Sequence, residues 1–171
     1  MSAKRLAGMV FCFFLFSSST FCQVSKRDGT PAELRQKAMT LEQQGNATEA
    51  EKTWRNILQV DPGNAEAYAN LGFLAARAGD YEKAIPLYRK SLRLNPKVAG
   101  VRINLGLALF KSEHLKEAIQ QFSPLLKSPS LSQASRLRVQ TLIGMAHYGL
   151  GEYGEAVPFL RDAAAGDPGN L

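Results

Sequence analysis

Few residues in this chain are of types that do chemistry. There are two histidines, His114 and His147, and two cysteines, Cys12 and Cys22. Two histidines far apart in the chain do not complete a metal site without thiolate or carboxylate partners at ligand spacing. Both cysteines fall within the first 22 residues, so the remainder has no thiol nucleophile, thiolate site or disulfide. Gly149, Gly151 and Gly154 cluster, but without the preceding strand that a phosphate-cradling loop needs. Glu49 and Glu51 fall on an exposed helix face, where neighbouring acids serve solvation. Asn46-Ala47-Thr48 fits a glycosylation acceptor, yet Asn46 is first of all a candidate helix N-cap. No catalytic residue, metal ligand or cofactor is expected, and the chain is not read as an enzyme.

The functional residues must therefore be contact residues, and the question becomes which elements present them. The chain has 171 residues, 45% hydrophobic and 21% charged, with a formal net charge of +6. That composition suits one globular domain and is too apolar for disorder. Lysine, arginine and acids alternate along most of the chain instead of clustering, so nucleic acid is not expected as a partner. Residues 1–22 read as a secretory signal: Lys4 and Arg5 first, an apolar run from Ala7 to Phe16, then Ser17-Ser18-Ser19-Thr20. About ten apolar residues are too few for a bilayer span, which takes roughly 20. Thr20 and Cys22 suit cleavage before Gln23, and no stable membrane span is expected afterwards. Two alternatives stay open: an uncleaved membrane anchor, and lipidation of Cys22, against which the bulky Phe21 counts. Lys4 and Arg5 supply two of the six net positive charges, so the processed chain would carry +4. Residues 23–30 read as a flexible lead-in.

The dominant signal is a repeat. The windows 31–64, 65–98, 99–132 and 137–170 align without internal gaps. Position 8 holds Ala38, Gly72, Gly106 and Gly144, and position 20 holds Ala50, Ala84, Ala118 and Ala156. Small residues there let two antiparallel helices approach closely. Position 24 holds Trp54, Tyr88, Phe122 and Leu160, large enough to fill the gap to the next helix. Gly45, Gly79 and Gly151 at position 15 suit a left-handed helix stop. Asn46 and Asp80 follow as N-caps, and Asn46 with Glu49 makes a capping-box-like pair. Pro62, Pro96 and Pro168 at position 32 end the second helix. Repeat 3 departs from the pattern, with Glu113 at position 15, Pro129 one place early, and four additional residues, Gln133 to Arg136, behind it. A looser turn is expected at 128–132. The pattern predicts helices over 31–44, 48–60, 65–78, 81–94, 99–112, 115–127, 133–149 and 153–165. Pro86, Pro124 and Pro158 fall inside second helices, which they should bend.

Four such windows in register resemble the tetratricopeptide repeat family across residues 31–170. The resemblance implies an all-α, right-handed α-solenoid of four stacked helix-turn-helix repeats, with the first helices lining a concave groove. It places His147 where the family packs an aromatic residue, and His114 in an inter-helix turn as an exposed cap. In the groove it places Arg35, Gln36 and Met39 of repeat 1 and Asn70, Phe73 and Arg77 of repeat 2. Repeat 3 contributes Asn104, Leu107, Phe110 and Lys111, and repeat 4 contributes Arg138, Leu142, Met145 and Tyr148. Carboxamides can hydrogen-bond an extended backbone as donor and acceptor together. The implied groove has an apolar floor, a short asparagine ladder and a basic edge, fit for a peptide with apolar anchors and some negative charge. Some relatives clamp a terminal carboxylate, but Met39, Gly100 and Asn104 stand where that clamp needs other residues, so no such clamp is expected.

The expected function is an exported, periplasmic or extracellular, non-enzymatic scaffold for a protein or peptide partner. Two alternatives remain: an assembly module of a larger envelope complex, or the leading part of a longer multidomain protein. The series stops at Leu171, one residue into a further window. Val157, Leu160 and Ala164 should then be partly uncovered, which leaves self-association through 153–165 open.

Overall fold

The computed structural model describes residues 29–129 and 131–166. The signal segment, most of the lead-in and the Asp167–Asn170 turn lie outside them. The described chain forms α1 (Pro31–Gln43), α2 (Ala47–Val60), α3 (Ala65–Arg77), α4 (Tyr81–Leu94), α5 (Ala99–Lys111), α6 (Leu115–Leu126), α7 (Gln133–Gly149) and α8 (Tyr153–Gly166). Each helix packs on its neighbours in the chain, and α3 also touches α5. This is the contact pattern of a solenoid built from hairpin pairs.

Local chemistry accounts for the boundaries. Thr30, Asn46, Asn64, Asp80 and Ser132 each accept a hydrogen bond from a backbone N–H in the first turn of the helix that follows. The complete capping box is at Thr30 and Glu33. That pair also draws the Glu33 carboxyl below its usual range, first through its bond from the Thr30 backbone N–H. At Asn46 only the forward half forms, from Glu49 N–H to Asn46 Oδ1, while the Glu49 carboxylate lies 3.9 Å from Lys52 Nζ. His114 occupies the N-cap position of α6, but its side chain does not cap. It is half exposed, 3.9 Å from Glu82. The turns within repeats are left-handed at Gly45, Gly79 and Gly151, with φ 76°, 81° and 76°. Repeat 3 keeps the same turn with Glu113 at φ 62°, so the geometry survives the loss of glycine at a steric cost.

Packing follows the small and large positions. A Cβ added at Gly72 would fall 2.8 Å from the Tyr88 ring, so only glycine permits that approach. Trp54, Tyr88 and Phe122 are each 1% exposed or less. Leu160 is half buried, in keeping with the partly uncovered state expected from the sequence, and packs over Gly144. Val157 is exposed as expected, at 59%. The helices run through Pro86, Pro124 and Pro158. The four additional residues, Gln133–Arg136, become an extra first turn of α7, which has 17 residues against 13 in α1. Arg136 folds back from it to donate to the carbonyls of Leu126 and Ser128, satisfying the open end of α6.

Exposed ion pairs tie neighbouring repeats: Arg35 with Glu66, Lys83 with Glu51, and Arg89 with Glu117. Glu51 also pairs with Arg55, and its bonds to Arg55 and Lys83 lower its carboxyl below the usual range.

A candidate groove pocket between the second and third repeats

The first helices present the groove, and one cavity opens in it. About 270 Å³ in volume, it lies among α3, α4 and α5 and is lined by Phe73, Ala76, Arg77, Tyr81, Tyr88, Asn104, Leu107, Ala108 and Lys111. Its position follows from residue size at repeat position 12. Ala76 is small and leaves space over Tyr88. One repeat earlier, Glu42 occupies that place and accepts a 2.6 Å hydrogen bond from Trp54 Nε1. One repeat later, the much larger Phe110 stands there, half buried against the core.

The lining is chemically mixed. Leu107, Ala76 and Ala108 form an apolar wall, and Phe73 stands 39% exposed at the edge. The Arg77 guanidinium lies 5.7 Å from the centre of the Phe73 ring. Arg77 and Lys111 bring two cations, and no acid lines the cavity. The Asn104 carboxamide and the Tyr88 hydroxyl bond to no other described residue. Tyr88, though only 1% exposed, contributes to the lining. Burial pushes its phenol up to about 12, which keeps it a neutral donor at physiological pH.

Of the groove residues expected from sequence, this pocket gathers Phe73, Arg77, Asn104, Leu107 and Lys111. The others lie elsewhere. Arg35 is held by Glu66 at 2.7 Å, and that pair holds its guanidinium pKa up. The Asn70 carboxamide donates one hydrogen bond to the Glu66 carbonyl of its own helix at 3.0 Å and keeps its oxygen unengaged, while Asn104 bonds to no described residue. Gln36 and Met39 are exposed on α1, the latter 36%. Arg138 and Leu142 line a second cavity of about 350 Å³ between α7 and α8. Met145 and Tyr148 are exposed at the last repeat, and Tyr148 meets Tyr153 edge-on at 5.2 Å. His147 is packed, stacked on Phe159 at 5.9 Å and bonded to Glu152 at 2.7 Å. The pocket residues that sequence reasoning missed are Tyr81, Tyr88 and Ala108; Ala76 stands at position 12, which the family resemblance places on the groove. Tyr81 and Tyr88 sit on a second helix, and only the small residue at position 12 signals that they are reachable from the groove.

A stacked-hairpin solenoid with an open concave pocket defines a helical-repeat protein. Tetratricopeptide repeat models match residues 35–99, 75–140 and 137–170, and the chain belongs to the tetratricopeptide repeat family. It is 37% identical over 78 residues to photosystem I assembly protein Ycf3 of Acaryochloris marina, covering 44% of each chain. It is 32% identical over 79 residues to type IV pilus assembly protein PilF of Pseudomonas aeruginosa, covering 46% of this chain and 31% of that one. The chain thus spans less than half the length of these relatives. In fold it resembles MamA of Desulfovibrio magneticus, with TM-score 0.74, 21% identity, and 82% and 77% of the two chains covered. The P. aeruginosa pilF structure matches with TM-score 0.66, 24% identity, and 83% and 63% covered. Among the described residues no helix is long and apolar enough to cross a membrane.

Proposed function

We propose that this protein is an exported, non-enzymatic scaffold that holds a segment of a partner protein in its concave groove, anchored in the Ala76 pocket. The observation that carries this reading is the coincidence of an apolar cavity with two cations and no lining acid. At about 270 Å³ the cavity is smaller than the roughly 300–1,000 Å³ of small-molecule sites, so it suits one large side chain of a peptide. Arg77 and Lys111 favour an acidic residue or a terminal carboxylate next to that anchor. Tyr88 and Asn104 reward a backbone or side-chain polar atom within reach.

Several of the chain's other cations are engaged by glutamates between repeats, at Arg35, Lys83 and Arg89, which favours a protein partner over nucleic acid. Export rests on the basic, apolar and small-polar succession of residues 1–22, and it places the partner in a periplasm or outside the cell. The two assembly proteins among the relatives favour a partner that is a subunit of a larger complex.

The test is site-specific photo-crosslinking from position 73 in the exported protein, with adducts identified by mass spectrometry. One dominant protein adduct, lost in Ala76→Phe at unchanged helical content, is the expected result. An adduct pattern that Ala76→Phe leaves intact sinks the pocket, and an absence of adducts sinks the groove.

A further inference from the structure

The signs of charge alternate along most of the chain, but one stretch breaks the pattern. From Lys83 to Ser112 there are seven lysines and arginines and no acid. Lys83 and Arg89 are held by Glu51 and Glu117 of neighbouring repeats, and Lys111 lies at the groove pocket. Others gather at the edge of the solenoid where α4 ends and α5 begins. Arg93 is exposed in the last turn of α4, and Lys97 is exposed in the turn over residues 95–98. Arg102, in the first turn of α5, donates to the Pro96 carbonyl at 3.3 Å and to Gln121 of α6 at 3.2 Å. Lys127, at the end of α6, holds the place of Arg93 one repeat on, and Arg136 donates to the carbonyls on either side of it. Among the described residues no carboxylate pairs with Arg93, Lys97, Arg102, Lys127 or Arg136. One repeat earlier, Gln59 and Gly63 stand in place of Arg93 and Lys97, and Asp61 accepts from Gly63 N–H and Asn64.

Two aliphatic side chains stand among these cations, Leu94 at 39% and Val98 at 37% exposed. Val98 is the N-cap residue of α5 and gives it no side-chain bond, whereas Asn64 caps α3 from the same repeat position. Valine there forgoes a cap and leaves its own side chain in solvent, so helix stability does not account for it. The helix dipole favours cations at helix C-termini, which accounts for Arg93 and Lys127 but not for Lys97, Leu94 or Val98.

We infer that this edge docks on an anionic lipid bilayer, with Leu94 and Val98 entering the headgroup layer and Arg93, Lys97 and Lys127 meeting lipid phosphates. Aliphatic tips set among unpaired cations are the chemistry of interfacial binding. Helix ends and a turn make this edge, and the two cavities described above open elsewhere, so it suits a broad surface better than a peptide. Each cation at an anionic surface strengthens binding about fivefold, so three of them make a weak, salt-sensitive attachment. The groove pocket is lined by residues nearer the start of α4 and the end of α5, so docking leaves it free and the inference stands apart from the groove reading.

Cosedimentation of the exported protein with vesicles tests the docking, using phosphatidylcholine alone and phosphatidylcholine with about one-third phosphatidylglycerol. Variants are checked for unchanged helical content by circular dichroism. The expected result is binding to the anionic vesicles only, lost in about 1 M salt, where the Debye length is about 3 Å. Arg93→Glu/Lys97→Glu should weaken it at least about tenfold. Lys37→Glu/Lys52→Glu, the same change in net charge placed on α1 and α2, should leave it within about twofold. Leu94→Asn/Val98→Asn should weaken it at least about threefold, and Val98→Asn supplies a cap, so lost folding does not explain that result. No binding to the anionic vesicles overturns the inference. So does equal binding to the neutral ones, equal loss from both charge-reversal pairs, or tighter retention on an acidic peptide or duplex DNA than on the vesicles.

Discussion

The junctions between repeats 1 and 2 and between repeats 2 and 3 share one backbone plan and differ in what fills them. At the first, the Trp54 ring is buried and its indole N–H is bonded by Glu42, so the large residue and its polar atom are both satisfied from inside. At the second, Tyr88 is equally buried, but Ala76 stands in place of Glu42, and the hydroxyl bonds to no described residue beside a cavity that Tyr88 helps to line. One side chain at position 12 separates a sealed structural joint from a receptive one. In a solenoid each junction is set mainly by nearest neighbours, so a local change of this kind leaves the rest of the array in place.

The comparison can be broken most forcefully at the sealed joint. Trp54→Ala should cost about 3–5 kcal/mol in denaturant unfolding, from lost burial and a cavity. If Trp54→Phe costs nothing beyond its smaller volume, the Glu42 hydrogen bond does not seal the joint.

The next effect lies in the alkaline pH dependence of stability. Tyr88 ionises near 12 when folded and near its ordinary value of 10 when unfolded. Its neutral form is therefore favoured by the fold. Between these values the unfolded state loses the proton first, so stability present below pH 10 falls as pH rises toward 12, by about 2–3 kcal/mol. Tyr88→Phe should remove that part of the decline relative to the parent, as measured by urea unfolding at stepped pH.

Filling the open joint is the third test. Ala76→Phe copies the Phe110 arrangement, and it should change stability by no more than about 1 kcal/mol while weakening partner binding at least tenfold, about 1.4 kcal/mol. The smallest effect concerns the turns. Glu113 holds a left-handed backbone that glycine holds in the other three repeats, so Glu113→Gly should raise stability by about 1 kcal/mol in thermal melts. No gain would mean that Glu113 carries a compensating contact.

Much of this fold was legible in the residues. The helix ends fall within one residue of those read from the period, because caps, left-handed turns and prolines act locally. The extra turn of α7 was legible for the same reason. The site was only partly so. Five of the residues placed in the groove by the family resemblance converge on one pocket. Arg35 pairs with the Glu66 carboxylate, Asn70 gives one N–H to a carbonyl of its own helix, and Phe110 is half buried against the core. Whether a side chain is free depends on what reaches it from a neighbouring helix, and repeat position carries no record of that.

By itself, then, the sequence determined the number of repeats and the helix boundaries, since periodicity and capping need only near neighbours along the chain. The tertiary structure alone decided where the groove pocket opens, how far Leu160 is covered while Val157 is bare, and which groove side chains are paired. Those outcomes depend on volumes and distances between side chains on packed helices, where a glutamate, an alanine or a phenylalanine at one site leaves the period unchanged and alters the surface a partner would meet.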